Sequence, residues 1–71
     1  MFIYEENTLN IEDIKKIREG VQWRMLTDHQ LQQALDMTVY SIVVKDHEHS
    51  IAMGRLIGDG IYYVICDVAV L

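Results

Sequence analysis

Proline is absent from this chain of 71 residues, cysteine, tryptophan and phenylalanine occur once each, and six lysines and arginines stand against eleven acidic residues. Each scarcity removes a class of explanation. Without proline or a low-complexity tract, and with 51% hydrophobic residues, the chain is neither a Pro-rich linker nor a disordered tail, since it carries enough apolar surface to fold. The lone Cys66 excludes an internal disulfide and fits a reducing compartment. Net charge is −5, and the basic residues Lys15, Lys16, Arg18, Arg24, Lys45 and Arg55 are scattered. A nucleic-acid partner needs clustered positive charge to displace counterions from phosphates, which argues against one here. The start of the chain has no basic segment followed by an apolar run, and the longest apolar run is too short to cross a bilayer as a helix. No membrane partner is expected, and the expected location is cytoplasmic.

What is present reads as one domain at most. A chain of this size buries only about 60% of the surface its unfolded form exposes, so its stability is expected to be marginal without outside help. Phe2-Ile-Tyr-Glu predicts a short first strand. Asn10 is placed to cap a helix, with Glu12 and Asp13 at the positive end of its dipole, Ile11, Ile14, Ile17 and Val21 on one stripe, and Gly20 at its left-handed C-terminal position. The connection Val21-Gln-Trp-Arg-Met-Leu is rich in large side chains, and a Trp in such a loop usually pins it to the core.

Thr27-Asp-His-Gln is a capping-box signature, with Leu26 placed to staple against Leu31, and it opens a second helix whose stripe continues through Ala34 and Leu35. Val39 to Lys45 predicts the second strand, and Asp46-His-Glu-His-Ser a hairpin turn to the third. His47 and His49 project the same way on an extended segment, but a metal site needs at least a third ligand and a second shell, and none is evident nearby. Ile51 to Ile57 predicts the third strand, with Ile51, Met53, Arg55 and Ile57 on one face and Ala52, Gly54 and Leu56 on the other. Arg55 thus leaves an apolar face and needs a carboxylate or an anionic ligand; Asp59, in the Gly58-Asp-Gly60 turn, is the nearest carboxylate by sequence.

From Ile61 to Leu71 every residue except Asp67 is apolar, and five are β-branched, which suits a strand covered on both faces. Such a strand sits mid-sheet, yet it is the last element here. Its outer edge is expected to lack a neighbour, and the chain is expected to be part of something larger. Cys66, among apolar neighbours, reads as a core residue. The order β-α-α-β-β-β with short connections between the last three strands predicts an α+β fold, a four-stranded mainly antiparallel sheet with two helices against it.

Arg55-Leu-Ile-Gly-Asp-Gly followed, after a strand, by Asp67-Val-Ala-Val-Leu resembles the third and fourth strands of the GNAT-type N-acetyltransferase superfamily. The resemblance covers nearly all of the chain by element order and implies a partial GNAT-like fold over residues 1–71, its amino-terminal half. In that family the fourth strand leads through a proline-containing turn into a Gly-rich loop and a helix whose amino end holds the pyrophosphate of acetyl-CoA. The chain ends before that turn, so the expectation is weak cofactor binding by the chain alone and dependence on a carboxy-terminal half. By resemblance, main-chain groups of Val68, Ala69 and Val70 contact acetyl-CoA, and Trp23 and Arg24 are candidates for the side that meets a small-molecule or peptide amine acceptor; Arg55, if not paired with a carboxylate, is a further substrate-binding candidate from its place on the strand face. Some relatives place a carboxylate base four residues before the position of Val68, where Val64 stands. Asp67 is the remaining candidate for a base, although its side chain should point opposite to Val68 and Val70. The family's Tyr acid comes from a later helix, which Tyr62 and Tyr63 do not match. A different class of function is also open, a non-catalytic interaction module that forms a homodimer through the edge of its last strand.

Overall fold

Asn10 has extended backbone angles, and its side-chain oxygen accepts the Asp13 N–H at 2.9 Å while the Asp13 carboxylate accepts the Asn10 N–H at 3.3 Å. This reciprocal cap opens α1 (Ile11–Gly20) in a computed structural model that describes residues Met1–Leu71. Thr27 and Gln30 make the same exchange, at 3.1 and 2.9 Å, to open α2 (Asp28–Asp36). Around these helices run β1 (Phe2–Glu6), β2 (Thr38–Asp46), β3 (His49–Gly58) and β4 (Tyr63–Val70). The strands form one sheet in the order β1-β2-β3-β4, every neighbour antiparallel. This is the α+β arrangement that the element order predicts.

Both helices cover the same face of the sheet. Leu9, Ile14, Ile17 and Leu31 meet Val43, Met53 and Ala69 there, with Ile11, Val21, Leu26 and Leu35 packed around them. Asp13 is buried in this layer and accepts from the Ser50 hydroxyl at 2.5 Å, which fastens α1 to β3. The pairing brings three residue rows together on the opposite face: Tyr4, Val44, Ala52 and Val70; Glu6, Ile42, Gly54 and Val68; Tyr40, Leu56 and Ile65. No element of the chain covers that face.

Three bulges adjust the register. Val39 and Ile51 are the extra residues between β2 and β3. In β4, Arg55 pairs with Cys66 and Met53 with Ala69, so that Gly54 alone faces both Asp67 and Val68. Asp67 accordingly has a left-handed φ of 52°.

Several local expectations change. Gly20 is the last helical residue of α1; the left-handed position falls on Gln22, with φ of 62°, because the chain turns only after the Trp23 N–H has reached the Arg18 carbonyl. Gly20 answers a different need, since the Leu71 side chain lies where its Cβ would stand. The β2–β3 turn is the tight pair His47-Glu48, both residues with positive φ. His47 Nε2 lies 3.6 Å from Asp46, whereas His49 Nδ1 lies 3.0 Å from Lys16 Nζ, so the two rings serve different partners. The last strand begins at Tyr63 rather than Ile61, because Asp59 Oδ1 accepts the N–H groups of Ile61 (2.8 Å) and Tyr62 (2.9 Å) and holds both in the turn. Nor is β4 covered on both faces: it is an edge strand, and Ala69 is its one buried residue. Cys66 is half-buried. No helix is long and apolar enough to cross a membrane.

Candidate functional site at the bulge of the last strand

The register shift turns the Asp67 carboxylate toward the helices, where two arginines meet it. Arg55, on β3, donates from Nε at 2.8 Å and lies 2.6 Å away through Nη2, both to Oδ2. Arg18, in the last turn of α1, brings Nη1 to 3.5 Å from Oδ1. All three side chains are largely shielded from solvent, at 11% exposure for Arg55, 12% for Arg18 and 22% for Asp67. Charges so placed must be paired and hydrogen-bonded, and the remaining donors comply. Arg55 Nη1 donates to the Ala34 carbonyl and to Thr38 Oγ1, each at 3.0 Å, and Thr38 Oγ1 donates in turn to Ala34 at 2.8 Å. Arg18 donates from Nε (3.1 Å) and Nη2 (2.7 Å) to the Arg24 carbonyl and lies 5.3 Å over the Trp23 ring, within cation–π range.

One carboxylate thus joins four parts of the fold: the end of α1, the 21–27 connection, the end of α2 and the bulge. The partner of Arg55 is Asp67 rather than Asp59. Asp59 sits in the turn with its carboxyl held below the usual range by the Tyr62 and Ile61 N–H groups, and faces no arginine. Pairing twelve residues apart depends on where β4 bulges, which sequence distance does not show. Arg18 and Thr38 were invisible as members of this cluster for the same reason, although an arginine in the final turn of a helix is a signal that it can reach beyond that helix.

The candidate residues fall into two groups. Val68 and Val70 are exposed on the bare face, while Ala69 between them is buried against the helices. What these three share is the backbone of a strand paired on one side only, a form suited to an extended ligand that adds to a sheet edge. Trp23, 38% exposed, is not pinned in the core; it lies under Arg18 in the connection, with Arg24 exposed beside it. Arg55 is turned inward, with its donors on Asp67, Ala34 and Thr38. A hollow of about 310 Å³ opens on the bare face among Tyr40, Ile42, Gly54, Leu56, Ile65 and Val68.

Comparison with solved structures agrees with this geometry. The chain superposes over its full length on a protein of unknown function from meticillin-resistant Staphylococcus aureus, a probable acetyltransferase, with a TM-score of 0.87 and 28% identity, covering 54% of that chain. It superposes equally completely on a GNAT-family acetyltransferase from Streptococcus pneumoniae, with a TM-score of 0.78 and 25% identity, covering 53% of that chain. No protein-family model matches the sequence, and no curated protein is significantly similar to it. The chain spans about half the length of the solved structures it matches. It has the partial α+β fold of the GNAT acetyltransferases, as expected of an amino-terminal half.

Proposed function

We propose that residues 1–71 form a single partial domain, the amino-terminal half of an acetyl-CoA-dependent N-acetyltransferase that works in the cytoplasm on a small-molecule or peptide amine. The bulged, one-sided edge of β4, in a fold shared with GNAT acetyltransferases, is the observation that carries this reading. Main-chain groups of Val68, Ala69 and Val70 would hold the amide-bearing arm of the cofactor as a strand is held at a sheet edge, so apolar side chains suit those positions. Acetyl-CoA, when bound, supplies the acetyl group as a thioester. Trp23 and Arg24 face the acceptor from the 21–27 connection, and Arg55 supports the site through Asp67.

Acetyl transfer to an ammonium also needs a base and an acid for the leaving thiolate. Val64 offers no base, and the Asp67 carboxylate is engaged by two guanidiniums, so its proposed role is to hold the bulge. The isolated chain is therefore inactive in this reading. Isothermal titration of the chain with acetyl-CoA is expected to show no stoichiometric binding at micromolar concentration, and such binding would overturn the dependence on a further half. A second reading, a self-associating interaction module, is favoured by the bare face of the sheet.

A further inference from the structure

We propose that Arg18 is a positioning residue that couples the 21–27 connection to the bulge of β4, so that a displacement of the connection is felt by the backbone of Val68, Ala69 and Val70. Arg18 is the one residue with polar contacts to both segments. Its carbonyl accepts the Trp23 N–H at 2.9 Å, its Nε and Nη2 converge on the Arg24 carbonyl at 3.1 and 2.7 Å, and its Nη1 lies 3.5 Å from Asp67 Oδ1. The guanidinium is planar and rigid, so these nitrogens do not move independently. A shift of the Arg24 carbonyl therefore turns the plane and moves Nη1 relative to Asp67.

The pivot of this lever is fixed and its input is soft. Ile14 and Ile17 are fully buried and hold α1, and with it the Arg18 backbone, in the core. Gln22, Trp23, Arg24 and Met25 are all exposed, Gln22 holds a left-handed φ of 62°, and Arg18 supplies the only side-chain hydrogen bonds that these four residues receive. An exposed segment with so few bonds moves at low cost.

Asp67 is poised to respond because its two oxygens are held unequally. Oδ2 takes both Arg55 contacts, at 2.8 and 2.6 Å, whereas Oδ1 faces Arg18 alone. Arg55 fixes the carboxylate to β3, and the longer Arg18 contact is the one that a moving connection stretches or closes. The φ of 52° at Asp67 persists only while its surroundings define it. The bulge in turn decides which way the following residues point, since a slip of one residue exchanges the faces of Val68, Ala69 and Val70. The functional sense of the coupling rests on the acetyltransferase reading: with the acceptor at the connection and the cofactor at Val68–Val70, each ligand alters the affinity for the other by the same factor.

Amide correlation spectra of the isotopically labelled chain test the coupling. Gln22→Val places a β-branched residue at a positive φ and displaces the connection without removing a charge or an aromatic ring. It is expected to shift the amide signals of Asp67, Val68 and Ala69. In an Arg18→Lys background, which keeps the charge but has no planar fork to join the Arg24 carbonyl to Asp67, those shifts are expected to fall at least about twofold. An arginine that merely braces the end of α1 would leave the β4 amides unmoved by Gln22→Val. Unmoved β4 amides, or shifts that persist undiminished with lysine, overturn the proposal. Should Arg18→Lys fail to fold, a urea-unfolding cycle of Gln22→Val with Asp67→Asn decides. Coupling is expected to make the joint effect on the folding constant depart at least about threefold from the product of the single effects, and additivity overturns the proposal. Neither measurement contains acetyl-CoA, so a failure here leaves the acetyltransferase reading standing, and the outcome of the acetyl-CoA titration leaves the coupling standing.

Discussion

Asp67 combines a left-handed backbone with a carboxylate shared between two guanidiniums, so its substitutions separate two effects. Asp67→Asn keeps a side chain that tolerates positive φ but removes the charge that Arg55 and Arg18 face. Asp67→Ala removes the charge and adds backbone strain. Breaking a buried pair costs about 3–5 kcal/mol, and the partial exposure of this one places Asp67→Ala near 2–3 kcal/mol, with Asp67→Asn milder by about 1 kcal/mol. Urea unfolding of both variants checks the order; equal losses would mean that the bulge stores no strain. That Arg55 needs a carboxylate is legible in the sequence, because a cation on an apolar strand face must be paired. Which carboxylate is not legible: Asp59 is nearer in sequence, but one extra residue in β4 brings Asp67 across from the arginine.

At the level of elements, the β3–β4 loop holds its shape through one ionisable group. The Asp59 carboxyl is held down by the N–H groups of Tyr62 and Ile61, so the folded loop favours the ionised form. Its contribution is complete above the unfolded aspartate value of about 3.9 and is lost as pH falls below it. Protection of the Ile61 and Tyr62 amides, measured against their intrinsic exchange rates, is therefore expected to fall in acid below that point, and Asp59→Asn to remove the dependence. Thr27→Ala is expected to cost about 1 kcal/mol in thermal or urea unfolding through loss of the α2 cap. Helix starts of this kind are written in short sequence spacings and were legible. The end of α1 was not, since the position that suggests a glycine cap is set instead by Leu71, fifty-one residues away. The length of β4 was misjudged for a similar reason: Ile61 and Tyr62 have strand-forming side chains, but their backbone donors belong to Asp59.

On the scale of the whole molecule, one layer of seven buried apolar residues supports a sheet whose other side is bare and largely apolar around Gly54. The self-associating reading makes stability depend on concentration, so under it the thermal midpoint is expected to rise with chain concentration, and a midpoint independent of concentration would count against it. Scans across a hundredfold range would show it, and Ile65→Glu is expected to flatten the trend. The sequence made it legible that the last strand is the most hydrophobic one and has an open outer edge. It did not show that one whole face of the sheet is bare as well. Side chains alternate along each strand, but three bulges reset that alternation, and no local pattern of apolar residues reveals where they fall.

The stacking of Arg18 on Trp23 gives this molecule an optical property. Trp23 is the only indole in the chain, and the guanidinium that covers it also faces Asp67. Emission from this single indole therefore reports, at second hand, on the conformation of β4. A ligand that displaces the bulge shifts the indole spectrum without any label attached.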